Sequence, residues 1–144
     1  TIVLITHELD VIKEICDRVV VMDSGRVVEI GDVYDVFTKP ESVFTQKLIE
    51  KENRFIIPGN VLENAEGKII RIDYFDDNAE RALIADAIET FGVKINILHG
   101  RIEFIKKKPV GVLYISVNGE TDQTRDAIRF IRENAGRMEV IRDA

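Results

Sequence analysis

The chain has 144 residues, enough for one ordinary domain or two small ones. Hydrophobic residues make up 45% and charged residues 32%, with 9 Gly and 3 Pro, a balance that excludes a disordered or low-complexity protein. The net charge of −6 is uneven: residues 1–67 hold 7 Lys and Arg against 13 Asp and Glu, and residues 68–144 hold 13 of each, so neither part offers the basic surface that nucleic acid requires.

Thr1-Ile2-Val3-Leu4-Ile5 is a continuous apolar run, the pattern of a strand buried on both faces within a parallel α/β sheet. No apolar run in the chain approaches the roughly 18 residues needed to cross a bilayer. The first one also lacks the basic flank and small-residue cleavage site of a signal peptide. A helix follows, with Leu9, Ile12, Ile15 and Cys16 on its apolar stripe. Cys16 reads as a small buried hydrophobe; as the one cysteine it forms no internal disulfide, which leaves the redox compartment open and accords with a cytosolic address. Val19-Val20-Val21-Met22 and Val27-Val28-Glu29-Ile30 flank the turn Asp23-Ser24-Gly25-Arg26 as a β-hairpin. Asp32 caps a helix from Val33 to Phe37 that stops before Lys39-Pro40, and another helix runs from about Glu41 to Glu50. Residues 1–51 carry few core partners of their own and read as the tail of a larger domain.

Thr1-Ile2-Val3-Leu4-Ile5-Thr6-His7-Glu8-Leu9-Asp10, with Cys16-Asp17-Arg18-Val19-Val20-Val21-Met22, Gly25-Arg26-Val27-Val28-Glu29 and Gly31, resembles the end of an ABC-transporter ATPase domain. The resemblance implies that His7 matches the switch histidine, which contacts the nucleotide γ-phosphate and helps to orient the attacking water. An imidazole suits that task because it can donate to developing phosphoryl charge near neutral pH. The chain holds no G-x-x-x-x-G-K-[ST] phosphate loop, no LSGGQ-like signature and no apolar strand ending in Asp-Glu. His7 then has nothing to act upon, and the chain is not expected to hydrolyse ATP alone. ATP and Mg²⁺ are expected in a full-length parent only, with no cofactor for this chain and no metal site.

Residues 52–67 have linker composition, although Phe55-Ile56-Ile57 could dock somewhere. Residues 68–144 read as strand, helix, strand, strand, helix, strand. Lys68 to Phe75 alternates Ile70, Ile72 and Tyr74 against Arg71 and Asp73. Asp76-Asp77-Asn78 offers caps for a helix from Ala79 to Phe91 that buries Leu83, Ile84, Ala87, Ile88 and Phe91, closed by Gly92. Val93 to Ile105 is a second strand, Lys106-Lys107-Lys108-Pro109 a solvated turn, and Val110 to Asn118 a third strand. Thr121 or Asp122 caps a second helix with Ala127, Ile128, Ile131 and Ala135 buried, and Arg137 to Arg142 is the last strand. This is an α+β, ferredoxin-like βαββαβ unit with both helices on one face of a four-stranded antiparallel sheet. Both residue sets of the strands contain apolar members, so the helix-free face requires a cover; a partner domain is the simplest one, and face-to-face or edge-to-edge dimerisation is inferred.

RNA recognition motifs share this topology, but Val110-Gly111-Val112-Leu113-Tyr114-Ile115-Ser116-Val117 lacks their aromatic spacing. No His-Asp-Ser or paired-carboxylate set converges on a strand end, which argues against an enzyme; His99 reads as a surface residue. A sensing or dimerisation module remains. Asn96-Ile97-Leu98, on the second strand of such a unit and C-terminal to an ABC ATPase tail, resembles the tripeptide of the NIL domain, an ACT-like regulatory domain of methionine importers of the ABC class. The resemblance implies a homodimer through this domain, permease subunits as partners, and a place on the cytoplasmic face of the cell membrane. It further implies that cytoplasmic methionine, bound near Asn96, Ile97 and Leu98, inhibits transport. Asparagine can donate to a carboxylate and accept from an ammonium, and apolar neighbours suit a thioether. Strand alternation puts Asn96 and Leu98 on one face and Ile97 on the other, so all three line one site only if the strand is bulged. A module that dimerises and braces the transporter without ligand is the other reading.

Overall fold

The computed structural model describes residues 1–143, which form two compact units: residues 1–54 with 104–107, and residues 55–103 with the chain from 108 onward. In the first, α1 (Leu9–Ile15) precedes an antiparallel hairpin of β1 (Arg18–Asp23) and β2 (Arg26–Asp32), then α2 (Val33–Thr38) and α3 (Val43–Asn53). Ser24 (φ 51°) and Gly25 (φ 77°) both lie in the left-handed region, as a two-residue type I′ turn demands. Asp32 Oδ1 accepts the Tyr34 N–H at 2.9 Å and starts α2, whose Val33, Tyr34 and Val36 are buried.

The start of α3 is held from outside the helix. The Glu29 carboxylate accepts the backbone N–H groups of Glu41 (2.9 Å) and Ser42 (3.1 Å). Burial works to raise the pKa of Glu29, but hydrogen bonds from the Glu41 N–H, the Thr45 side chain and the Ser42 N–H together outweigh it and hold the carboxyl below its ordinary value.

Two expectations for this unit fail. Thr1–Ile5 is not a strand: among the described residues β1 and β2 pair only with each other, so this segment joins no ladder, and Ile2 and Ile5 are each 95% exposed. On α1, Ile15 is 65% exposed and Cys16 only half-buried, while Lys13 is buried. The lysine stem lies along the core side, and its ammonium pairs with Asp10 at 2.8 Å and sits 5.8 Å from the centre of the Phe37 ring.

In the second unit, α4 (Gly59–Asn64) leads into β3 (Lys68–Tyr74), a 3₁₀ turn over Asp76–Glu80, α5 (Leu83–Phe91), β4 (Lys94–Ile105), β5 (Lys108–Asn118), α6 (Thr121–Asn134) and β6 (Arg137–Arg142). The sheet order is β4-β5-β3-β6, with β3 antiparallel to both central and edge neighbours, the ferredoxin-like arrangement. Ile70, Ile72 and Tyr74 of β3 join Ile115 and Val117 of β5, Leu83 and Ala87 of α5, and Ala127, Ile128 and Ile131 of α6 in one core. Gly92 ends α5 at φ 67°, as its position predicts.

Details of the boundaries differ from expectation. Helix α5 starts at Leu83 because the three carboxylate- and amide-bearing residues Asp76, Asp77 and Asn78 are taken up in the tighter 3₁₀ turn. The N-cap of α6 is Glu120, without a side-chain hydrogen bond. Residues 59–64, read as linker, form helix α4. At Gly136 an added Cβ would lie 2.6 Å from the Phe75 ring and 2.8 Å from the Asp73 carbonyl, so α6 can hand over to β6 only through glycine.

Candidate ligand site

The helix-free face of the sheet is built by the strand register. Ile69, Arg71 and Asp73 of β3 stand opposite Ser116, Tyr114 and Val112 of β5. On the other side Arg71 faces Glu139 and Asp73 faces Arg137 of β6. One part of this face is apolar and covered: Ile57, Ile69 and Tyr114 form a second cluster, with Val61, Leu62, Ala65, Leu98 and Val112 packed against it. Part of the cover expected from a partner domain therefore comes from residues 57–65 of the same chain. Helix α4 is short and uncapped by side chains, but its carbonyl end is gripped by Arg142. The guanidinium donates to the carbonyls of Leu62 and Ala65 and, at 3.1 Å, to that of Gly67. Gly67 (φ 81°) has no room for a side chain, since a Cβ would lie 2.2 Å from the Val117 carbonyl oxygen.

The other part of the face is charged. Arg71 Nε lies 3.0 Å from Asp73 Oδ1, and Arg137 stands 4.0 Å from the same carboxylate. Burial raises the Asp73 pKa; Arg71 and Arg137 pull it back without restoring its ordinary value.

Asn96 and Leu98 lie on this face. Ile95, their neighbour, packs on the helix-side core, and Leu98 packs on the cluster under residues 57–65. Ile97 lies on the helix side: its Cγ2 and the core-packed Leu113 flank the same side of Gly100. Asn96 and Ile97 are exposed, Leu98 half-buried. The tripeptide is thus split between faces, as plain alternation requires. The alternation breaks one residue later. The His99 ring stacks on Phe55 at 3.6 Å with a 4° interplanar angle and lies 6.1 Å from Tyr114, so consecutive residues Leu98 and His99 share a face, the mark of a bulge.

The sequence suggests docking of Phe55-Ile56-Ile57 but not its place on His99 and Tyr114, and it gives Arg142 no role. The available signal was the spacing of Ile57, Val61, Leu62 and Ala65, which repeats with helical period inside the supposed linker. A separate apolar cleft of about 210 Å³ opens on the helix side, lined by Tyr74, Ala82, Leu83, Ile84, Ile102 and Leu113. Burial pushes the Tyr74 hydroxyl up to about 12, so it stays protonated there. His7 lies in the first unit, exposed, just before α1, where the Thr6 hydroxyl accepts the Glu8 N–H at 3.0 Å. Among the described residues no group of three or more His, Cys, Asp or Glu could hold a metal ion, and no helix is long and apolar enough to cross a membrane.

The two-helix, four-strand unit with its short helix against the opposite face is similar to a C-terminal domain of ABC transporter ATP-binding proteins. A solved C-terminal domain of an ABC transporter ATP-binding protein from Enterococcus faecalis matches 60% of this chain and 97% of its own, with a TM-score of 0.52 and 27% identity. More particularly, the NIL domain family matches residues 68–140, and the chain belongs to that family. Over 99% of its length it is 42% identical to the methionine import ATP-binding protein MetN 2 of Salmonella typhimurium strain LT2, and 41% identical to MetN 2 of Shouchella clausii. Over 98% it is 39% identical to MetN 1 of Oceanobacillus iheyensis. The chain spans only 42–43% of the length of these relatives, and corresponds to their C-terminal part.

Proposed function

We propose that this chain is the C-terminal part of the ATP-binding subunit of an ABC methionine importer, and that its NIL domain senses methionine. The observation that carries the reading is the NIL match over residues 68–140, with Asn96-Ile97-Leu98 on strand β4 of that unit. In this reading the NIL domain pairs with a second copy, the subunit joins permease partners at the cytoplasmic face of the membrane, and bound methionine holds the ATPase domains apart and stops transport. Asn96 supplies the amide for the amino acid's carboxylate and ammonium, and Leu98 the apolar wall on the same face. Ile97, across the sheet, supports the strand from the helix side rather than lining that wall. ATP and Mg²⁺ act in the parent subunit. In this reading His7, exposed just before α1, acts as the switch histidine only together with the phosphate loop of the parent subunit.

Thermal unfolding with and without L-methionine tests the reading. A ligand that binds only the folded state at a hundred times its Kd stabilises by about 2.7 kcal/mol, a shift of several degrees. Asn96→Ala should abolish the shift while leaving the unliganded midpoint nearly unchanged, because Asn96 is exposed. The second reading, a bracing module, rests on the apolar and charged areas of the helix-free face. It predicts no shift with L-methionine, D-methionine, cysteine or cystine.

A further inference from the structure

We propose that residues 55–65 are a strap that competes with the bound amino acid for the Leu98 side of the helix-free face. The proposal rests on the ligand placement above and adds a regulatory element to it. Asn96 and Leu98 share a face, so a ligand touching both lies on the side that the strap occupies. Asn96 is open, whereas Leu98 is committed to the cluster of Ile57, Ile69 and Tyr114 beneath the strap. Leu98 is half-buried, so a thioether can touch its open part but gains full contact only where Ile57 and its neighbours give way.

The two ends of the strap are fastened differently. Its far end is held by three carbonyl contacts from Arg142 and runs into Gly67, which is wedged against Val117. Its near end is held by side-chain packing: Ile57 is buried, and the Phe55 ring lies flat on His99. The fastening to His99 falls at the bulge, one residue past the tripeptide. Ligand contact at Leu98 therefore disturbs the strand where the strap is anchored, and opening proceeds from Phe55 with Gly67 as the fixed end. Phe55 directly follows Arg54, the last residue of the first unit's main segment.

The test measures L-methionine affinity by calorimetry, and hydrogen exchange over residues 55–62, in the whole chain and in Phe55→Ala. An aromatic pair contributes enough to shift a docking equilibrium roughly two- to tenfold, and loss of a competitor raises apparent affinity by the same factor. Phe55→Ala should thus bind L-methionine about two- to tenfold more tightly, with Phe55→Leu in between. Methionine added to the unmodified chain should speed exchange at residues 55–62. Methionine bound with exchange there unchanged, or Phe55→Ala binding no more tightly, overturns the strap and leaves the ligand site standing. No binding by either protein overturns the ligand site itself, and the competition with it. Phe55 is partly exposed, and an unchanged unfolding midpoint for the rest of the unit confirms that the variant is folded.

Discussion

The two units share a sequence style rich in Val and Ile but differ in where those residues go. In the NIL unit, Ile69, Ile70, Ile72, Ile115 and Val117 are fully buried from both sides of one sheet. In the first unit, Ile2, Val3, Ile5, Ile15, Met22, Val27, Ile30 and Val43 face solvent around a small core of Val33, Tyr34, Val36 and Ile49. The difference shows that apolar content alone does not make a core. A sheet with helices on one face and a short segment on the other closes on itself, whereas a lone two-stranded hairpin cannot cover its own faces.

The comparison can be broken most severely at the centre of the sheet. Ile72→Ala empties a fully buried site and should cost about 2–5 kcal/mol, read as a lowered denaturant midpoint for the NIL unit with little change in the first. Next comes Arg142→Ala, which strips three carbonyls of a charged donor. A loss of about 1–3 kcal/mol is expected, with faster hydrogen exchange at residues 61–67 as the local readout.

A pH titration sharpens the contrast, because the two units carry carboxylates shifted in opposite directions. Glu29 is held below its ordinary value of 4.5, so it stabilises the first unit above that pH and the contribution is lost as pH falls through its lowered value. Asp73 is raised above 3.8, so its contribution to the NIL unit is full below that pH and is lost as pH rises through the raised value. Glu29→Gln should therefore fall furthest below the unmodified chain near neutrality, with the gap closing in acid. For Asp73→Asn the midpoint relative to the unmodified chain should improve as pH rises above 3.8, each followed by circular dichroism of thermal unfolding. The smallest effect belongs to the exposed set. Met22→Ser with Ile30→Thr should change stability by less than about 0.5 kcal/mol each, yet reduce self-association measured by sedimentation.

Most of the NIL fold was legible in the sequence because its signals are periodic. Ile70, Ile72 and Tyr74 alternate, Ala127, Ile128 and Ile131 repeat at helical spacing, and Gly92 stands where a left-handed residue ends a helix. What escaped depends on partners remote in the chain. Thr1–Ile5 has a strand's composition but joins no ladder among the described residues, so propensity without pairing yields no strand. Helix α4 hides behind Pro58, Gly59 and Asn60, residues that read as punctuation, and its support comes from Arg142 at the other end of the unit. At the site, Asn96, Ile97 and Leu98 and their split between faces were readable from alternation. The bulge was not, because the contacts that reveal it, His99 with the rings of Phe55 and Tyr114, form only in the folded sheet.

The order of strands in the NIL sheet also bears on how the chain is made. The central strand β3 is the first of the four to leave the ribosome, and both of its neighbours, β5 and β6, are synthesised after it. Until β6 emerges, Ile70 and Ile72 lack one flank and the carbonyls that Arg142 grips stay open. The nascent unit therefore spends most of its synthesis with an unpaired apolar strand on display, and acquires its native stability only as its last residues appear.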